Sequence, residues 1–179
     1  MTPSVSVITA TIPGREFMLA ECKASIEAQT VQPLEHIVEL DAERTGCAAT
    51  MNRMLERVAG DWVAWLADDD VAYPEHLETL LSVSQAADIV YSWCDVEGRG
   101  GWNPNAYFDA ERLVRENFIP ATALIRTSLA LELGGWKTNA AYGWEDWDFW
   151  KRALAAGARF KCVPRRTWKY RFHGGNASA

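Results

Sequence analysis

Short apolar runs alternate with amphipathic ones along this chain. Val5-Ser6-Val7-Ile8 and His36-Ile37-Val38-Glu39-Leu40 have the length and β-branched content of strands, and the segment between them places Met18, Cys22, Ile26 and Gln29 along one side of a helix. This is the start of a βαβ unit. From about Thr45 to Ala59 a second helical pattern gathers Ala48, Met51, Asn52, Leu55, Val58 and Ala59 on one face, and the apolar run Trp62-Val63-Ala64-Trp65-Leu66 after it reads as a buried strand. Pro74 opens a further helix with Leu77, Leu80, Leu81 and Ser84 inward, followed by the strand Ile89-Val90-Tyr91. Such alternation predicts an α/β fold whose first half is a wound, mostly parallel sheet.

The second half begins less regularly. Glu97 to Asn105 is rich in Gly, Pro and Asn and is expected to be an exposed loop and candidate lid. After it come a helix near Asp109 to Asn117, a strand over Ala121 to Ile125, and a short helix stopped by Gly134-Gly135. Glu145-Asp146 then opens a helix that runs to Ala156, is stopped by Gly157, and shares one face among Asp146, Phe149, Trp150, Ala153 and Leu154. With 179 residues, 49% of them hydrophobic, and no repeat or long linker, the chain is expected to be one domain over 1–179, residues 1–94 forming one half and 95–179 the other. It has no apolar run of 18 residues and no leader-like N-terminus, so a soluble, cytoplasmic protein without a transmembrane segment is expected. Cys22, Cys47, Cys94 and Cys162 are scattered singly, as reduced packing residues are.

The most informative polar stretch is Asp68-Asp69-Asp70, directly after the buried strand. Three adjacent carboxylates at the carboxyl end of a strand form a candidate site for a divalent cation, which is held by one or two carboxylates and completed by water and substrate phosphates. The alternative is a solvated acidic turn ahead of the helix at Pro74. Asp41, just beyond the second strand, lies at the same sheet edge, either capping a turn or binding a base or ribose. Asn52 lies on an apolar helix face, where its amide needs a structural partner or a ligand. Asp146 and Glu145 are helix-dipole partners or, since Asp146 shares its face with large apolar side chains, carboxylates aimed into a walled cleft. Charge is uneven: setting aside Arg159, Lys161, Arg165, Arg166, Lys169 and Arg171, twelve basic residues face 24 acidic ones, a balance of −12. That basic segment fits a phosphate or polyanion, or else six solvated cations on a terminal strand.

In this order the motifs resemble the family-2 glycosyltransferases with the GT-A fold, a Rossmann-like three-layer sandwich. The likeness rests on Val5 to Arg15, on Asp41, on Gly46-Cys47-Ala48-Ala49-Thr50-Met51-Asn52, on the Asp triplet, on Gly134-Gly135-Trp136, on Glu145-Asp146-Trp147-Asp148-Phe149-Trp150, and on Arg171-Phe172-His173-Gly174-Gly175-Asn176-Ala177-Ser178. It implies an inverting, metal-dependent glycosyltransferase of the hexosyltransferase kind, moving a sugar from a nucleoside diphosphate, UDP foremost, to an acceptor hydroxyl. Asp68, Asp69 and Asp70 would match the Asp-X-Asp motif and hold Mn²⁺ or Mg²⁺, with His173 as a further metal or diphosphate ligand. Aligned from Pro74, the commoner pattern puts Ala67 at the first acid position and makes Asp69 the main ligand instead of Asp70. Thr9, Thr11, Arg15, Asp41, Asn52 and Asp68 would contact the donor, although Thr11-Ile12-Pro13-Gly14 stands where the family commonly has a Tyr-Asn pair.

Under this resemblance Asp146, or else Glu145, would take the acceptor proton opposite the leaving diphosphate, with Trp102, Trp144 and Trp147 walling the acceptor site. A nucleotidyltransferase is the alternative on a similar sheet, but a single glycine, Gly14, marks the opening loop and no Lys-bearing phosphate cradle is present. A non-catalytic sugar-nucleotide or glycan-binding module is the other. The expected acceptor is a small molecule or glycan. Hydroxyl-bearing nucleic acid is the minority alternative, because Phe160, Trp168, Tyr170 and Phe172 alternate with the six cations.

Overall fold

The computed structural model describes residues 3–98, 105–137 and 144–173. Its strands are β1 (Val5–Thr11), β2 (Glu35–Leu40), β3 (Trp62–Trp65), β4 (Val71–Ala72), β5 (Ile89–Glu97), β6 (Ala123–Arg126) and β7 (Phe160–Arg171). The helices are α1 (Glu16–Glu27), α2 (Cys47–Leu55), α3 (His76–Leu81), α4 (Ala110–Arg115), α5 (Thr127–Glu132) and α6 (Glu145–Ala155), with a 3₁₀ turn at Ser84–Ala86. One sheet takes up all seven strands in the order β2-β1-β3-β6-β5-β7-β4.

The alternation of side chains along the central strands builds two cores. Val5 and Val7 of β1, Trp62 and Ala64 of β3, Val90 of β5 and Leu124 of β6 point to one face, where α1 and α3 bring Cys22, Ile26, Leu77 and Leu80. Ile8, Val63, Trp65, Ile89, Tyr91 and Ile125 point to the other, under Met51 and Leu55 of α2, Leu113 of α4 and Phe149 and Trp150 of α6. Helices on both faces make the expected three-layer sandwich.

The sheet is mixed rather than mostly parallel in its pairings. β1 pairs in parallel with β2 and β3, and β5 with β7, whereas β6 is antiparallel to both β3 and β5, and β4 to β7. A buried strand's apolar pattern records its burial and not its direction, so β6 looked like its neighbours. Several bounds also differ. The helix after Gly46 ends at Leu55, α4 spans only Ala110–Arg115 behind its cap Asp109, whose carboxylate accepts from the Arg112 N–H at 2.9 Å, and β5 continues to Glu97. Most of the expected lid, residues 99–104 with Trp102, lies outside the described residues.

Two features steer the chain toward one sheet edge. β4 follows the Asp triplet immediately and pairs with β7, Val71 opposite Lys169 and Ala72 opposite Trp168. β7 is irregular against β5: Ser92 faces Val163 but Trp93 faces Arg166, so Pro164 and Arg165 bulge out, and Thr167 is extra before Trp168. Such bulges bend a strand and tolerate proline. They carry the end of β7 back over the triplet.

Candidate active site

The carboxyl ends of β1, β2 and β3 lie side by side, the Asp41 N–H donating to Thr11 O at 2.8 Å and the Leu66 N–H to Ile8 O at 3.2 Å. This is the edge at which open α/β sheets bind ligands. The chain leaves β3 through Leu66 and Ala67 and turns at the triplet, with Asp70 N–H donating back to Ala67 O at 3.1 Å. Asp68, Asp69 and Asp70 are all buried, so the acidic turn is not a solvated one. Buried carboxylates need donors or cations, and Asp68 and Asp69 share one while Asp70 finds its own.

Asp68 accepts from the Thr11 hydroxyl at 2.6 Å and from Arg15 Nη1 at 2.8 Å. Asp69 Oδ2 meets Arg15 Nη1 at 3.1 Å and His173 Nε2 at 3.0 Å. Asp70 turns toward β7, its Oδ1 accepting the Arg171 backbone N–H at 3.1 Å. Burial, reinforced by the charge of Asp69, pushes the Asp70 carboxyl well above the usual range against the pull of that N–H. Asp69 is therefore the member of the triplet that faces both the β1–α1 loop and the segment after β7.

Thr9 does not reach this space. It is wholly buried, its hydroxyl donating to Leu66 O at 2.8 Å and meeting His36 Nε2 at 2.9 Å, so it holds the strand end from beneath. Asp41 caps its turn: one oxygen accepts the Thr45 N–H and hydroxyl at 2.8 and 2.9 Å, the other the Gly46 N–H at 2.8 Å. Although burial opposes ionisation, these hydrogen bonds hold its carboxyl below the usual range. An open pocket of about 400 Å³ lies against it, lined by Leu40, Asp41, Ala42, Glu43, Thr45 and Arg53. Asn52 fills the structural alternative, clamping the Trp136 backbone with Nδ2 to O at 2.7 Å and N–H to Oδ1 at 2.8 Å.

A second group of carboxylates stands in the first turn of α6. Asp146 accepts from Asn117 Nδ2 at 3.2 and 3.3 Å and from the Trp147 N–H at 2.7 Å. The residue as a whole is half-buried, but desolvation of its carboxyl pushes its pKa up to about 7 in spite of these bonds. Glu145, one residue earlier, and Asp146 together with Asp68 and Asp69 all raise the proton affinity of the Cys47 thiol at the start of α2, on top of its burial. Both pairs of carboxylates therefore lie within electrostatic reach of the α2 N-terminus.

Trp147 is held in place, its indole N–H donating to Leu113 O at 2.7 Å, Lys151 lying 4.0 Å from one ring and Trp144 5.3 Å away. Trp144 is 46% exposed and offers an aromatic surface beside Asp146.

Three contributors escaped the sequence pattern. Asn117 comes from beyond α4 and supports Asp146 across 29 residues, with no local signal. The backbone of Arg171 matters more to Asp70 than its side chain, which reaches Glu21. Arg152 joins α6 to the Gly-rich turn, donating to Leu133 O at 2.8 Å and Gly135 O at 2.7 Å. The basic segment is largely neutralised, since Arg159 pairs with Asp88, Arg166 with Asp95, Lys169 with Glu97 and Arg171 with Glu21. Its aromatics follow suit, with Trp168 buried and Phe160 stacked on Phe108. Among the described residues no three His, Cys, Asp or Glu side chains form a ready-made metal cage, and no helix is long and apolar enough to cross a membrane.

A family model of glycosyl transferase family 2 matches residues 24–142. The chain belongs to glycosyl transferase family 2. This family-2 chain is 27% identical over 210 residues to the uncharacterized glycosyltransferase YwdF of Bacillus subtilis (strain 168), covering 98% of the chain and 77% of YwdF. It is 23% identical over 207 residues to the uncharacterized glycosyltransferase MJ1057 of Methanocaldococcus jannaschii, covering 94% of the chain and 71% of MJ1057. Among solved structures, S. aureus TarS 1-349 in complex with UDP matches with a TM-score of 0.77 at 16% identity over 94% of the chain and 60% of TarS. The TarS 1-349 complex with UDP-GlcNAc matches with a TM-score of 0.76 at 15% identity, over 98% of the chain and 61% of that one. The family-2 chain therefore spans about three fifths of the TarS 1-349 length and has the GT-A fold. Family membership sets the nucleotidyltransferase alternative aside.

Proposed function

We propose that the chain moves a hexosyl group from a UDP-sugar to an acceptor hydroxyl by one metal-assisted displacement with inversion. The observation that carries this reading is that two pairs of carboxylates, Asp68 with Asp69 and Glu145 with Asp146, both lie within electrostatic reach of Cys47 at the start of α2, which we read as two walls of one cleft. UDP and UDP-GlcNAc are bound by a protein of the same fold, TarS. The donor atoms suit a hard divalent ion: Asp69 Oδ2 and His173 Nε2 are 3.0 Å apart, close to the separation of adjacent ligands around an octahedral ion with bonds of about 2.1 Å. Asp69 and His173 would hold Mn²⁺ or Mg²⁺, with Asp68 and Asp70 beside them, and the bound ion would stabilise the charge developing on the leaving diphosphate.

The remaining work falls to side chains. Arg15 lies within reach of the same anion, and Thr11 steadies Asp68. The pocket beside Asp41 accommodates the base and ribose, Asp41 shaping its turn. Asp146 takes the acceptor proton; a pKa of about 7 suits a general base at neutral pH, and Asn117 fixes its direction. Trp144 gives a sugar ring a flat surface at the mouth, with Trp147 as its support. Because four of the six C-terminal cations are already paired with acids, a small molecule or glycan is favoured as acceptor over nucleic acid. Four free cysteines suit a reducing, cytoplasmic setting.

Calorimetric titration with UDP tests the donor half of this reading. Binding that requires Mn²⁺ in the wild type and is weakened at least tenfold in Asp69→Ala is the expected result. Equal affinity with and without Mn²⁺ in both proteins would overturn it.

A further inference from the structure

Asp69 Oδ2 is where the metal-dependent reading puts the divalent ion, and it is also where Arg15 Nη1 bonds, at 3.1 Å. The same nitrogen lies 2.8 Å from Asp68 Oδ1. The arrangement is sheltered, with 20% of the Arg15 side chain exposed against 4% for Asp68 and 7% for Asp69. A guanidinium thus already compensates two adjacent buried carboxylates. An incoming divalent ion must displace it or share an oxygen with it, and like charges that close repel strongly away from bulk water.

Arg15 is also built to leave. It lies on the loop between β1 and α1, at the N-cap position of α1, where the Leu19 N–H donates to its backbone carbonyl at 2.9 Å, so the backbone is anchored while the side chain keeps its rotatable stem. Asp68 retains the Thr11 hydroxyl at 2.6 Å when the guanidinium departs. A diphosphate matches the planar fork of arginine better than a single carboxylate oxygen does.

We infer that Arg15 is an exchangeable internal cation, passing from Asp68 and Asp69 to the donor diphosphate and thereby releasing Asp69 to the metal. The inference rests on the metal-dependent reading above and adds that the free chain holds metal weakly because Arg15 competes for it. Donor and metal then bind in concert, each tightening the other by the same factor, as linkage requires.

The test is Mn²⁺ binding followed by the loss of the free-ion electron paramagnetic resonance signal, with and without UDP. Arg15→Met should bind Mn²⁺ on the order of tenfold more tightly than wild type without UDP, within the usual range of such couplings. The factor by which saturating UDP tightens Mn²⁺ should shrink correspondingly. Arg15→Lys, which keeps the charge, should remain near wild type in Mn²⁺ affinity and covers the case in which the neutral variant folds poorly; tightening in Arg15→Lys equal to that in Arg15→Met would count against a charge effect. Unchanged Mn²⁺ affinity in a folded Arg15→Met, with UDP still recruiting Mn²⁺ in both proteins, would overturn the exchange alone. Failure of any of the proteins to take up Mn²⁺ even with UDP would overturn the metal-dependent reading and the exchange with it.

Discussion

Asp146 has a desolvated carboxyl at the start of a helix, and that desolvation sets both its chemistry and its stability cost. With a pKa near 7 it is mostly protonated below neutrality and unable to accept a proton. Turnover of a UDP-sugar should therefore rise about tenfold per unit of pH up to about 7 and then level. Asp146→Asn should keep UDP affinity and lose on the order of 10²-fold in turnover. The same shift acts on folding with the opposite trend. The native group keeps its proton up to about 7 while the unfolded one releases it near its ordinary 3.8, so the wild type loses stability as pH rises across that window. Asp146→Asn lacks this loss and should gain relative stability between pH 4.5 and 7.5 in urea melts; a constant difference between the two proteins would contradict the assignment. For Asp146 the sequence made the helix start and its spacing to Phe149 and Trp150 legible, but not the partner Asn117, 29 residues away. Asn52 and Asp41 were legible only as pairs of alternatives. The partner that decides Asn52 lies 84 residues away, and the capping of Asp41 depends on a local turn geometry that composition does not specify.

At the scale of elements, the turn after α5 is held between α2 and α6. Gly134 and Gly135 have φ of +70° and +67°, and a Cβ on Gly135 would lie 2.2 Å from Asn52 Oδ1. Arg152 grips the same turn from α6 through the Leu133 and Gly135 carbonyls. Gly135→Ala is expected to cost roughly 1–3 kcal/mol from backbone strain and the broken clamp, measured by urea unfolding, and to lower turnover more than UDP affinity. An unchanged unfolding midpoint would show that the turn has slack. The glycine pair announced this turn in the sequence, whereas the features that bring β7 back to the triplet did not announce themselves. β4 has two residues and no periodicity to detect, and the double bulge of β7 exists only relative to β5. The reversed direction of β6 is hidden for a similar reason, since hydrogen-bond partners and not side-chain pattern define it.

At the scale of the molecule, both faces of one sheet are packed, and three parallel strand ends meet the end of a bulged C-terminal strand at the Asp triplet. The ordered motifs made this arrangement legible as a GT-A fold, because those on the described residues lie at the ends of strands or helices. The uneven charge was a poorer guide: the C-terminal cations look like a polyanion site until Asp88, Asp95, Glu97 and Glu21 are seen beside them. The central claim is that the leaving diphosphate is held at Asp69 while Asp146 works from the opposite wall, which leaves room for a single displacement and no covalent intermediate. Proton NMR of the sugar first released from an α-linked UDP-sugar, recorded before mutarotation, tests this most directly. The account predicts the β anomer, and release of the α anomer would contradict it.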